Sequence, residues 1–235
     1  MPKVDSKDLK CGVFDFVDFG CKTGGSFEFC KRILGGGRGL GIDKNPAYVN
    51  EFCESGGEAI LGDVTNTGLP DNFARFVCVS HLLEHLPNWD LVEKATMESI
   101  RIARDFVYVV GPYFDADEYL SSLGLKFFWS DWSFHPTHVD SKSLENILRR
   151  HGHENFICYG HIRIHDSRDS SLHPLDSPKD QHDYDPKIHP PKEIIDAFDR
   201  PVFREMVILI PKSGNLGAAR DAAALLKLGE TPGAW

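Results

Sequence analysis

"FVDFGCKTGGS", residues 16–26, decides the fold. An apolar and aromatic run stops at Gly20, and two more glycines follow at Gly24 and Gly25. The strand it closes, "VFDFVDF" (13–19), leads into "GSFEFCKRIL" (25–34), where Phe27, Cys30, Ile33 and Leu34 recur at helical spacing. Strand, glycine turn and helix in that order open a βαβ unit.

The same alternation continues. "GGGRGLGID" (35–43) ends the helix and begins a second strand, and "PAYVNEFCESG" (46–56) is a helix with Asn45 as cap and Pro46 at its first position. "EAILGD" and "FVCVS" (76–80) are strands three and four, "WDLVEKATMESIRIA" (89–103) an amphipathic helix and "DFVYVVGP" (105–112) strand five. Strands that are apolar throughout, each followed by a helix, are parallel and covered on both faces. "SKSLENILRRHG" (141–152) adds a helix with Leu144, Ile147 and Leu148 on its apolar side. "NFICYG" and "EMVILIP" supply two more strands, and "NLGAARDAAALLKLG" a short helix near the end. The expected fold is a doubly wound α/β domain, a mostly parallel seven-stranded sheet spanning 1–235. A polar segment rich in His, Asp and Pro, residues 161–201, is inserted before the last strand. A connection that long is usually functional or disordered.

Composition narrows the partners. The chain has 235 residues, 41% hydrophobic and 26% charged, as in ordinary globular proteins. A formal charge of -9 and no Lys/Arg cluster beyond pairs argue against a nucleic-acid footprint. "FVYVV" and "MVILI" are too short to cross a bilayer, and Met1–Lys10 is too polar for a signal peptide. Cys11, Cys21, Cys30, Cys53, Cys78 and Cys158 are scattered without a CxxC pair, as expected of reduced thiols in a cytoplasmic protein.

In open α/β sheets the ligand lies beyond the carboxyl ends of the strands, so the first turn is a cofactor candidate. A P-loop is excluded, because Lys22-Thr23 follows Cys21 and no glycine stands at the required offset. A dinucleotide fingerprint is broken at its second glycine by Lys22, which weighs against NAD. "GGGRGLG" (35–41) precedes strand two and reads as a helix stop.

"VDFGCKTGG", Asp43 at the end of strand two, "GDV" after strand three and "SHLLEHL" after strand four occur in order. Together they resemble the class I S-adenosylmethionine (SAM)-dependent methyltransferases, in the branch with a Leu-Glu-His-Leu type sequence after strand four. The resemblance runs from Phe14 to Pro112 and, more weakly, through "HPTHVDSKSLENILRRHG" to "VILIP". It implies SAM as cofactor and a Rossmann-like methyltransferase fold. Gly20 and Gly24 would let the backbone pass close to the cofactor, and Asp18 would act near its amino group. Asp43 would accept from both ribose hydroxyls, while Asp63 and Val64 would meet the adenine. Cys21, Lys22, Lys44, Ser80 and His81 complete the implied cofactor set. Lys22 departs from the family, which usually has a small residue there. Its stem can point to solvent, cross the groove to the SAM carboxylate, or mark a relative that has lost SAM.

Methyl transfer requires an acceptor held in line with the activated methyl and, for oxygen or nitrogen, removal of a proton. His81 and His135 are the candidate proton acceptors, with a wall of the cofactor pocket as the alternative role of His81. Glu84 and His85 belong to "LLEHL", where such a pair more often fixes the loop. Residues 113–140 are dense in aromatics and read either as an acceptor pocket or lid, or as a small satellite core. On the first reading Tyr113, Trp129, Trp132 and His138 contact the acceptor. His161, His165, His173, His182 and His189 match no metal-site spacing, so no metal is expected, though polar loops of this kind suit hydroxyl-rich ligands. The expected function is SAM-dependent methylation of an oxygen or nitrogen of a small molecule. The alternative is a non-catalytic relative without SAM.

Overall fold

Every residue of β1 (Phe16–Phe19) is buried, because parallel strands flank it on both sides and helices cover both its faces. The computed structural model describes Val4 and residues 7–11, 13–212 and 216–226. The parallel strands are β1, β2 (Gly39–Asp43), β3 (Ala59–Leu61), β4 (Ala74–Ser80) and β5 (Ala103–Pro112). Four more strands follow: β6 (Leu125–Phe127), β7 (Ile157–Ile164), β8 (Leu172–Pro174) and β9 (Val202–Pro211). The main sheet has seven strands in the order β3-β2-β1-β4-β5-β9-β7, with β9 antiparallel to both neighbours. The order reverses between β1 and β4, which puts the crevice of a doubly wound sheet beyond their carboxyl ends.

The helices are α1 (Asp8–Cys11), α2 (Phe27–Arg32), α3 (Pro46–Glu54), α4 (Trp89–Ile102), α5 (Asp117–Ser122), α6 (Ser141–Arg150) and α7 (Leu216–Leu225). Asn45, Asn88 and Asp140 cap α3, α4 and α6, each accepting from an amide two or three residues on. The sheet separates two cores. On one face Phe16, Phe76 and Phe106 stack across β1, β4 and β5, with centroids 5.4 and 5.1 Å apart, and pack with Cys30, Phe52 and Ala222. On the other face Val17, Phe19, Val77 and Val79 meet Val92, Leu144 and Leu148. Cys21, Cys30, Cys53, Cys78 and Cys158 are free and buried, and the side chain of Cys11 lies outside the described residues. So do Asn215 and residues 227–229 of the expected last helix.

Two features go beyond the sequence reading. Strand β7 runs on to Ile164, four residues into the segment read as an insertion. Its register with β9 is unbroken from His161–Glu205 to Arg163–Phe203, but Ile162 between them sits in left-handed backbone at φ +59, outside the paired residues. The remaining insertion contributes β8, which pairs antiparallel with β6 of the aromatic segment. Lys126 reaches across to the carbonyls of Leu175 and Ser177, at 2.9 and 2.7 Å, and the Trp132 indole donates to Gln181 O. The aromatic segment and the insertion thus form one cap. Among the described residues no helix is long and apolar enough to cross a membrane.

The β3–β4 loop is held by one buried carboxylate. Glu98 of α4 accepts from the Thr67 amide at 2.8 Å and from Arg101 at 2.7 and 2.8 Å, while Arg101 also bonds Leu69 O and Asp71. Burial alone would raise the Glu98 pKa, but the bonds from Arg101 and Thr67 outweigh it and bring it down to about 2. The stabilisation is therefore full above the ordinary carboxyl value and lost as the pH falls toward 2. Replacing Glu98 by Gln should cost about 2 kcal/mol at pH 7 and flatten the loss of stability below pH 4.5, read by urea melts across that range.

Candidate active site

The turn after β1 is built by amides that bond back onto the end of β2. Gly20 and Cys21 both donate to Ile42 O, at 2.8 and 3.2 Å, and the Lys22 amide donates to Asp43 Oδ2 at 2.9 Å. Asp43 Oδ1 accepts from the Asn45 amide at 2.8 Å. Each carboxylate oxygen thus accepts one backbone bond and can accept a second. The geometry requires left-handed backbone at Gly20 (φ +68), Lys22 (φ +44) and Gly24 (φ +87). At Gly24 a side chain is also excluded by packing, since a Cβ would lie 2.2 Å from the Phe52 ring. The Lys22 residue is exposed, so the charge stands at the rim of the turn.

Asp18 is 1% exposed in the middle of the sheet and accepts from the Ser26 hydroxyl at the start of α2. Burial raises its pKa to about 7, against the lowering effect of Ser26 and Cys78. Cys21, 2% exposed, is likewise pushed up by burial and by the nearby Asp18 and Asp43. Beyond β3, Asp63 is exposed and folds back on its own turn, accepting from the Thr65 amide and hydroxyl at 2.8 Å. These bonds hold its carboxyl below the usual range. Val64 beside it is buried, and the exposed Lys44 adds to the lowering of the Asp63 pKa by its charge.

A cleft of about 500 Å³ opens over the turn, lined among others by Gly20, Lys22, Ser80, His81, His161 and Glu205. His81 follows β4 in left-handed backbone (φ +47), with its amide on Val110 O at 2.8 Å. Its Nε2 lies 3.3 Å from Glu205 Oε1 and its Nδ1 3.6 Å from Glu84 Oε1. Burial lowers its pKa, but Glu205 and Glu84 more than reverse this and carry it to about 9. His161 of β7 places Nδ1 2.8 Å from Glu205 Oε2. Glu205, despite burial, is brought down to about 2 by His161 and His81. The sequence reading did not single out Glu205, and it met His161 only as a histidine of the insertion. A lone carboxylate opening the apolar run "EMVILIP" was the available signal.

The expected acceptor residues divide. Tyr113 is 1% exposed, edge-on to Phe203, and Trp129 is 7% exposed and stacked on Phe127 at 4.4 Å, so both belong to the core. Trp132 is half-buried, and His138 stacks on Phe114 at 4.5 Å with Nδ1 3.2 Å from Asp117, which raises its pKa. The two histidines of "HPTH" thus part company. His135 is buried with Nδ1 2.9 Å from Trp129 O and its ring 4.9 Å from that of His85. His85 Nδ1 lies 2.8 Å from Phe134 O, and Glu84, 2% exposed, completes the group.

Residues 17–105 match the model of a family described as a methyltransferase domain. No curated protein matches the chain. The fold is shared with a SAM-dependent methyltransferase from Archaeoglobus fulgidus, at TM-score 0.58 and 19% identity over 84% of this chain and 85% of that one. One from Methanosarcina mazei gives 0.52 at 12% identity over 89% and 98%, and one from Thermotoga maritima 0.52 at 15% over 85% and 83%. The match to a methyltransferase-domain model and the shared fold agree with the resemblance read from the sequence, and the fold is that of the SAM-dependent methyltransferases.

The raised Asp18 pKa has a consequence for stability. The folded state favours the neutral acid, so its contribution is full below the ordinary value of 3.8 and lost as the pH rises through about 7. Asp18→Asn keeps an acceptor for Ser26 and should stabilise the cofactor-free protein at pH 8 by about 1 to 4 kcal/mol. Denaturant melts at pH 5 and pH 8 check this, with the gain expected to shrink at the lower pH.

Proposed function

We propose that this chain is a class I SAM-dependent methyltransferase and moves a methyl group from SAM to an oxygen or nitrogen of a small molecule. The observation that carries the reading is the buried Asp43 carboxylate, oriented by the Lys22 and Asn45 amides and still able to accept from a pair of ribose hydroxyls. Gly20, Cys21 and Gly24 shape the cradle, Asp18 and Ser80 flank it, and Asp63, Val64 and Lys44 border the adenine. Bound SAM supplies a methyl carbon on a sulfonium, whose C–S bond breaks as the acceptor atom bonds to that carbon.

The chain's own part is to hold the acceptor and take its proton. His161 suits the second task, because Glu205 holds its Nδ1 and leaves Nε2 as the accepting nitrogen, in the manner of a carboxylate–histidine pair. His81, drawn toward the charged form by Glu205 and Glu84, serves better as a cationic wall that keeps Glu205 in place. His135 is turned away from this pair toward Glu84 and His85. On this reading Trp132 and His138 of the cap contact the acceptor, and the buried Tyr113 and Trp129 support them. Five free, buried thiols suit the reducing cytoplasm.

The non-catalytic alternative rested on Lys22, and the structure offers it no support. The backbone amide of Lys22 performs the turn's task, and the side chain is exposed. Lys22→Gly should keep SAM affinity within about threefold and relieve about 1 kcal/mol of left-handed strain. A gain of a hundredfold or more in SAM affinity would show instead that the lysine obstructs the site.

Asp43→Ala removes an acceptor of charge-assisted bonds and should weaken SAM about a hundredfold or more, equivalent to about 3 kcal/mol. Calorimetric titration with SAM and S-adenosylhomocysteine reads this, and unchanged affinity in a folded variant would sink the assignment.

A further inference from the structure

The buried Glu84 carboxylate and the free nitrogens of His85 and His135 have no part in methyl transfer as derived so far. Glu84 follows β4 in a single 3-10 turn (Leu83–His85), and its Oε1 accepts no hydrogen bond from any described residue. His81 Nδ1, at 3.6 Å, is beyond bonding reach. A buried carboxylate oxygen left without a donor is costly, so this one calls for a cation or a donor from outside the chain.

The two histidines are already oriented. Each places Nδ1 on a backbone carbonyl, His85 on Phe134 O and His135 on Trp129 O. A carbonyl only accepts, so each ring donates from Nδ1, and in the neutral imidazole Nε2 is the nitrogen with the lone pair. Proteins fix metal-ligating imidazoles in this way. One donor atom from each of Glu84, His85 and His135 lies within 4.8 Å of the other two. Donors around a first-row divalent ion, at about 2.1 Å from it, stand about 3 to 4 Å apart, so shifts of about an ångström close the set.

We propose that Glu84, His85 and His135 bind one divalent first-row transition ion beside the cofactor cleft, and that this ion receives a hydroxyl oxygen of the methyl acceptor. The first half stands on the donor geometry alone, and the second rests on the methyltransferase reading. Two imidazoles and one carboxylate suit zinc, manganese or cobalt over magnesium and leave coordination positions open. The location fits, because His81 lines the cleft and a Glu84 oxygen lies 3.4 Å from where a Cβ of Gly111 would stand, near the end of β5. A hydroxyl held there loses its proton more readily. The proton passes to His161 or to water, the C–O bond forms as the C–S bond of SAM breaks, and the electron pair of that bond stays on sulfur. Alcohol and SAM become methyl ether, S-adenosylhomocysteine and a proton, and the acceptor class is a hydroxyl compound.

The test is calorimetric titration of the untagged, chelator-stripped chain with zinc, manganese and cobalt, with visible absorption of the cobalt form and thermal melting alongside. One equivalent should bind at micromolar strength or tighter and raise the melting temperature. His85→Gln and His135→Gln should each weaken binding by about a hundredfold or more. His85 is half-buried, so its variant is expected to melt near the parent without metal, and it decides the matter if the His135 variant does not fold. Absence of stoichiometric binding, or binding unchanged in His85→Gln, overturns the site. SAM titrated in parallel separates the two readings: SAM binding without ion binding removes this inference alone, and ion binding without SAM binding keeps the site but removes its role toward an acceptor.

Discussion

The bond from the Lys22 amide to the Asp43 carboxylate is the constraint on which the cofactor end of the molecule depends. It joins the turn after β1 to the end of β2, and it forms only because the chain passes through left-handed backbone at three nearby positions. The other Asp43 oxygen takes the Asn45 amide just ahead of α3, so one buried carboxylate sets the turn and the start of a helix together. Asp18 lies nearby with its pKa lifted to about 7 by burial. Two acids at neighbouring strand ends are an expense that packing alone would not retain, whereas a cofactor bearing an ammonium and two hydroxyls would offset it.

What could be read from the sequence was what local chemistry fixes. The parallel strands announce themselves as unbroken apolar runs, since neither face meets water, and Asn45 with Pro46 marks a helix start whatever surrounds it. The place of Asp43 at the end of a buried strand was legible in the same way, whereas the role expected of it came from the family resemblance. The pair His161–Glu205 was not, because 44 residues separate its members and only the antiparallel register of β7 on β9 brings them opposite. The left-handed backbone at Ile162 was equally hidden. A β-branched residue at positive φ is chosen by tertiary context against its own preference.

The cap shows the same limit. Residues 113–140 left open a choice between acceptor wall and satellite core, and the structure divides the aromatics between the two. Phe127 and Trp129 turn inward as a stacked pair, whereas Trp132 is anchored by Gln181 of the insertion. The β6–β8 ladder that joins these segments is three residues long on each side, too short for any periodic signal. The Lys126 ammonium, bonded to two carbonyls of the insertion, supplies what that short ladder lacks.

Charge balance links the cleft to the cluster beside it. Glu84 and Glu205 face His81 from its two sides, and Glu205 also holds His161. With His81 drawn toward its charged form, two carboxylates face one cation in a partly dry site. Two acids sharing one imidazolium are favourable to a further cation arriving from outside. The sulfonium of SAM would meet it from the cleft, and an ion between Glu84, His85 and His135 would meet it from behind. Because His81 stands between the two carboxylates, a positive charge arriving on either side weakens the claim of that carboxylate on the imidazolium and strengthens that of the other. The cofactor cleft and the Glu84 cluster are therefore electrostatically one site, with His81 as the shared wall.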